Sequence, residues 1–194
     1  MKNIAVFASG SGTNFQAIID AVESGELQAE ISLLVCDKPG AMAVERAEKH
    51  GIPTFVFSPK SYINKEAFEA EILKELEEAD VSFIALAGYM RLIGPTLLFK
   101  YEGKMVNIHP SLLPAFPGKD AIGQAIAAGV TETGVTIHFV DDGMDTGPII
   151  EQVPVPIEEN DTANHIRRKI HDVEHALYPR VLQKLLHETK IETY

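Results

Sequence analysis

Cysteine is nearly absent: Cys36 is the only one in 194 residues. A single thiol excludes intrachain disulfides and zinc–thiolate clusters, and its place after Leu33-Leu34-Val35 reads as a small buried hydrophobe. Long apolar runs are missing too. None approaches the ~20 residues a membrane span requires, and the opening Met1-Lys2-Asn3-Ile4-Ala5-Val6-Phe7 turns polar too soon for a signal peptide. A cytoplasmic location and no membrane partner are expected. Basic charge is scarce, with 17 Lys and Arg against 28 Asp and Glu and a net charge of −11, which argues against a nucleic-acid partner. A small anionic ligand stays open, because helix N-termini bind phosphate whatever the net charge. No serine or cysteine nucleophile elbow occurs, so a covalent acyl-enzyme has no candidate; Ser111 reads as the cap of a turn around Pro110. Nor do His50, His138, His165, His171, His175 and His187 show metal-ligand spacing, and no metal is expected. His171 and His175 are four apart on a helix, but Asp172 and Glu174 point elsewhere on it. His138, alternating with Ile137 and Phe139, reads as buried and hydrogen-bonded.

What is present is a repeating unit. Ile4–Ala8 is apolar throughout and breaks into Ser9-Gly10-Ser11-Gly12, after which Phe15, Ile18, Ile19 and Val22 keep helical spacing up to Gly25. The alternation continues with a strand at Ile31–Val35, a helix at about Ala41–His50, a strand at Thr54–Phe57, a helix at about Lys65–Glu78 and a strand at Val81–Leu86. Strands apolar on both faces, alternating with such helices, predict an α/β fold: a doubly wound, mostly parallel open sheet with helices on both faces. Beyond Gly88 the pattern loosens into strands at Met105-Val106, Val135–Val140 and Ile149–Val155, a helix at Ala121–Ala128, and a long C-terminal helix starting near Asp161-Thr162, kinked at Pro179. No repeat or linker divides the chain, so residues 1–194 are expected to form one domain.

Three motifs carry chemistry. Ser9-Gly10-Ser11-Gly12-Thr13-Asn14 lies where a parallel sheet binds ligands, beyond a strand's carboxyl end. It is neither the dinucleotide fingerprint, since Phe15 stands where the third glycine would fall, nor a Walker A loop. It is either a tight turn with Thr13 or Asn14 as helix cap or, the reading adopted, a cradle for a single phosphate or phosphoribosyl group. Gly88-Tyr89-Met90-Arg91-Leu92-Ile93 is either a plain connection or a loop offering backbone and apolar surface to a flat heterocycle. The third is Asn107, His109 and Asp145. Residues i and i+2 of a strand point the same way, so Asn107 and His109 leave the strand end together, a hydrogen-bond donor beside a proton carrier. Asp145, in a loop expected at the same sheet edge, would fix the imidazole tautomer and favour its protonated form. Such a centre suits an oxyanion forming on a tetrahedral carbon.

The loop Ser9–Asn14, the run Asn107-Ile108-His109-Pro110-Ser111-Leu112-Leu113-Pro114 and the run Gly134–Pro148 together resemble the folate-dependent formyltransferases, in particular the phosphoribosylglycinamide formyltransferase family of purine biosynthesis. The resemblance spans essentially the whole chain and implies a Rossmann-like formyltransferase fold. The implied reaction is direct formyl transfer from 10-formyltetrahydrofolate, as co-substrate, to the amino group of glycinamide ribonucleotide. It implies Asn107 as oxyanion donor and His109, kept protonated by Asp145, as general acid. Gly12, Thr13 and Asn14 would form the phosphate and ribose site, and Glu174 matches a ribose-contacting position. Met90, Arg91, Leu92 and Ile93 would line the pterin pocket with Asn107 and Asp141, and Lys65 would lie near the folate tail. The N-terminal half, about 1–100, would serve the phosphoribosyl group and about 101–194 the folate and the chemistry. Two departures stand out: Phe116-Pro117-Gly118-Lys119-Asp120-Ala121-Ile122 lacks histidines that some members carry, and Lys65 replaces an arginine, keeping charge but not a bidentate grip. A non-catalytic nucleotide-binding module would explain Ser9–Asn14 but leave Asn107, His109 and Asp145 without purpose. The protein is expected to be a monomer or homodimer.

Overall fold

The computed structural model describes residues 1–188. Seven strands, β1 (Lys2–Ala8), β2 (Ala29–Cys36), β3 (Thr54–Val56), β4 (Phe83–Leu86), β5 (Met105–His109), β6 (Glu132–Phe139) and β7 (Ile149–Pro156), form one sheet in the order β3-β2-β1-β4-β5-β6-β7. Pairing is parallel from β3 through β5 and antiparallel for β5–β6 and β6–β7. Six helices flank it: α1 (Thr13–Ser24), α2 (Met42–Lys49), α3 (Lys65–Glu78), α4 (Pro95–Tyr101), α5 (Ala121–Ala128) and α6 (Ala163–His187). A three-residue 3₁₀ turn at Pro59–Ser61 aside, α4 is the one element the periodicity did not announce. It has only seven residues, starts at Pro95, which suits a first helical position, and is too short to show a repeat.

Alternation along the strands divides the core by face. Ile4, Val6 and Ala8 pack with Phe15, Ile18, Ala43 and the α6 residues Ile170, Leu177 and Tyr178. Ala5 and Phe7 pack on the other side with Phe68, Ile72, Leu76 and Leu97 of α3 and α4. Both faces are covered, which is why the strands are apolar throughout. α6 starts where Thr162 Oγ1 accepts the His165 N–H, an N-cap that satisfies an orphan donor, and it continues unbroken past a buried Pro179. It is pinned to the strand ends by the Tyr178 hydroxyl, which donates to the Leu86 carbonyl at 2.7 Å.

Gly12 shapes the start of α1 in two ways. The helix has no side-chain cap: neither Thr13 nor Asn14 fills that place, which Gly12 holds at φ 72°. The first amides of α1 are therefore left for another acceptor. A side chain at Gly12 would also meet Ala43, whose Cα and Cβ would each lie 2.9 Å from the added Cβ. The turn and α2 can pack this closely only around glycine.

Candidate active site

β5 reaches further than its parallel neighbour. Leu86, the last residue of β4, pairs with Asn107, so Ile108 and His109 project past it. Val106 and Ile108 enter the core on one face, leaving Asn107 and His109 together on the other, as the two-residue period requires. Antiparallel β6 sets His138 directly across from Asn107. The His138 Nδ1–H donates to the Phe139 carbonyl at 2.8 Å; its other nitrogen, Nε2, lies 3.3 Å from Asn107 Nδ2 and accepts one amide hydrogen. His138 is buried and orients Asn107, a part that strand alternation hinted at without naming its partner.

Asp145 arrives by a different route from the expected one. Because β6 runs antiparallel, it ends beside Val106, and the loop after it must fold back toward His109. Gly147 makes this possible, since a Cβ there would overlap the Phe139 carbonyl. Asp145 itself adopts φ 56°. Its Oδ2 accepts the Gly118 N–H at 2.8 Å and faces His109 Nδ1 at 3.6 Å; its Oδ1 lies 3.5 Å from Asn107 Nδ2 and 3.7 Å from His138 Nε2. The Asp–His separation is that of an ion pair rather than a hydrogen bond. Burial opposes ionisation of Asp145, but its carboxyl is still held below the ordinary value, the Gly118 N–H and His109 both favouring the carboxylate. The His109 Nε2–H donates to the Phe116 carbonyl at 2.8 Å, which leaves Nδ1 as the nitrogen that faces Asp145. Ser111 serves the same turn, donating from Oγ to the Ala115 carbonyl at 2.6 Å.

The two loops at the ends of β1 and β4 are stitched together. The Met90 N–H donates to Ser9 Oγ at 2.8 Å and the Ser9 N–H to the Gly88 carbonyl at 3.2 Å. Arg91 Nε donates to buried Asp37 at 2.8 Å. Across from them, α6 brings Glu174 against α1, where Asn14 Nδ2 donates to Glu174 Oε2 at 3.1 Å. Burial pushes the Glu174 carboxyl up to about 7, against the Asn14 hydrogen bond. Asn14 Oδ1 is buried without a hydrogen-bond partner, an unsatisfied acceptor on a residue that lines the cavity.

These residues wall one cavity of about 470 Å³, within the range of small-molecule sites. Gly12, Thr13, Asn14 and Glu174 form one end of its wall; Asn107, His109 and Asp145 line it together with Met90, Arg91, Leu92 and Ile93. Met90 and Leu92 are exposed, offering apolar surface, while the Ile93 side chain is buried in the core. Two expected residues lie outside the wall. Lys65 Nζ donates to the Leu92 carbonyl at 2.8 Å and braces the loop from behind. Asp141 knots its own loop, Oδ1 accepting from the Thr146 hydroxyl at 2.6 Å and from the Gly143 N–H at 3.0 Å; that hydroxyl above all holds its carboxyl below the ordinary value. The wall also includes Arg167 and His171, neither of which the motifs singled out. Their spacing from Glu174 on one helix, seven and three residues, was the available signal: Glu174 does not point elsewhere on the helix as expected, because an i, i+3 pair shares a face, and its Oε1 lies 3.9 Å from His171 Nε2. Among the described residues, no group of three or more His, Cys, Asp or Glu side chains is placed to hold a metal ion, and no helix is long and apolar enough to cross a membrane.

The family described as formyl transferase matches residues 2–182. A phosphoribosylglycinamide formyltransferase of Bacillus subtilis (strain 168) is 58% identical over 186 residues, covering 96% of this chain and 95% of that protein. The trifunctional purine biosynthetic protein adenosine-3 of Drosophila melanogaster is 42% identical over 192 residues, 98% of this chain and 14% of the larger protein. Among solved structures, glycinamide ribonucleotide transformylase 1 from Geobacillus kaustophilus superposes with a TM-score of 0.94 at 66% identity, over 96% of this chain and 99% of that one.

Proposed function

The chain belongs to the formyl transferase family, and on that premise we propose that it transfers a formyl group from 10-formyltetrahydrofolate to the amino group of glycinamide ribonucleotide, in purine biosynthesis. The observation that carries this reading is one cavity holding Asn107, His109 and Asp145 together with the uncapped α1 turn and Glu174. An uncapped helix start suits a phosphate, and Glu174 with the orphan Asn14 Oδ1 suits the hydroxyls of a ribose. The exposed Met90 and Leu92 suit a flat heterocycle, which the folate would supply.

The acceptor amine would attack the formyl carbon directly. Charge then develops on the formyl oxygen, and Asn107 supports it with the amide hydrogen that His138 does not take. That second hydrogen faces Asp145 at 3.5 Å, a weak contact that an oxyanion would replace. As the tetrahedral centre collapses, the bond from the formyl carbon to the folate nitrogen would break, and His109 would add positive charge and move the proton shed by the acceptor amine to that nitrogen through Nδ1, its Nε2–H being held by Phe116. The anionic Asp145 lies where that charge forms. A preorganised donor in such a site typically contributes about 3–4 kcal/mol of transition-state stabilisation. Lys65 and Asp141 would act as supports of the folate-side loops rather than as ligands.

Incubation with a 10-formyl folate, with release of the deformylated folate monitored, tests this. Release is expected only when glycinamide ribonucleotide is present. Release without it would mean hydrolysis, and no release in either case would mean a binding protein.

A further inference from the structure

Arg167, His171 and Glu174 lie along one face of α6 and wall the acceptor end of the cavity. Glu174 is 4% exposed. Its Oε2 receives Asn14, and its Oε1 turns toward His171 Nε2 at 3.9 Å. The His171 side chain is 47% exposed, so a buried carboxyl stands between an orphan acceptor and an imidazole open to the cavity. We propose that Glu174 and His171 form a proton-transfer pair that couples the two ends of the acceptor: when a phosphate monoester settles on the α1 amides, the exposed imidazole closes the 3.9 Å gap to hydrogen-bond distance and the Glu174 proton passes to His171 Nε2, leaving an imidazolium toward the phosphate and a carboxylate toward the ribose hydroxyls. This rests on the acceptor being the ribonucleotide named above. The O–H bond of Glu174 breaks, the N–H bond of His171 forms, and the pair is neutral in sum before and after.

Both groups start on the right side of this exchange. Burial holds Glu174 protonated up to about 7; burial and then Arg167 push His171 down, against Asp172. The other charges facing the pair are few. His175 stacks 6.2 Å from His171, and its own pKa is lowered by burial, by His171 and by Arg46 of α2, with Asp172 opposing. Asp120, in the turn before α5, holds Arg167 at 3.6 Å. The buried Tyr178 hydroxyl, which also feels Glu174, is pushed well up and stays neutral. A phosphate dianion entering beside His171 is therefore the largest new charge it meets, and an anion favours the imidazolium.

The test counts protons. Glycinamide ribonucleotide is titrated calorimetrically, without folate, at pH 6.5 in two buffers of different ionisation enthalpy, into the native protein, His171→Gln and Glu174→Gln. Native binding should exchange close to no protons beyond the phosphate's own. His171→Gln must lose the Glu174 proton to solvent and release up to one more, whereas Glu174→Gln should take up a further fraction of a proton on His171. The Kd of His171→Gln should also rise about tenfold per pH unit below 7, where the native Kd stays flatter. The phosphate ionises alike in all three, so the differences isolate the pair. Equal proton counts would overturn it; failure of the native protein to bind the ribonucleotide would overturn the acceptor assignment, and the pair with it.

Discussion

Glu174→Gln should stabilise the protein at alkaline pH and leave it nearly unchanged at acid pH. Burial raises the Glu174 carboxyl from 4.5 to about 7, so between those values the folded chain keeps a proton that the unfolded chain has released. Native stability therefore falls as pH rises through that window and levels off above it. This is the reverse of a salt-bridged carboxylate, whose contribution is lost on acidification. At ~1.36 kcal/mol per pKa unit, the interval corresponds to about 3 kcal/mol. The glutamine side chain has nearly the shape of the protonated acid and keeps an oxygen for Asn14, so packing should cancel in the comparison. Urea unfolding of both proteins at pH 5 and pH 8 reads the effect directly. The native protein should lose about 3 kcal/mol relative to the variant between the two pH values. Parallel pH dependences would refute a protonated, buried Glu174.

Asp145→Asn should lower turnover by about 10²–10⁴ with little change in Tm, because the new side chain keeps an oxygen for the Gly118 N–H; a near-native rate would sink the Asp–His pairing. Asn107→Ala should reduce kcat by about 10²–10³, and a rise in KM at unchanged kcat would show that the amide grips the ground state instead. Gly12→Ala places a Cβ against Ala43 at φ 72°, a left-handed conformation that costs an L-residue about 1–2 kcal/mol before the clash is added. Thermal melting should detect the loss, together with a raised KM for the ribonucleotide from displaced α1 amides. An unchanged Tm would mean that the turn and α2 can move apart freely.

Much of this protein is determined along the chain itself. The apolar period of Ile4–Ala8, Ile31–Val35 and Val81–Leu86 required a sheet covered on both faces. The i, i+2 spacing of Asn107 and His109 put an amide beside an imidazole, and Gly12 marked the turn that opens α1, because each depends only on local geometry. α4 was missed because seven residues carry no usable period. Contacts across the fold were not legible. That His138 orients Asn107 depends on the β5–β6 register, and that Asp145 reaches His109 depends on a loop folding back from the far end of an antiparallel strand. Lys65 and Asp141 behave as braces because Leu92 and Thr146 happen to lie within reach. Glu174 meets Asn14 only because α6 packs on α1, 160 positions away in sequence. Periodicity encodes which face a residue takes, but the partner it meets there is settled only when separate elements dock, and with it the burial that sets its charge.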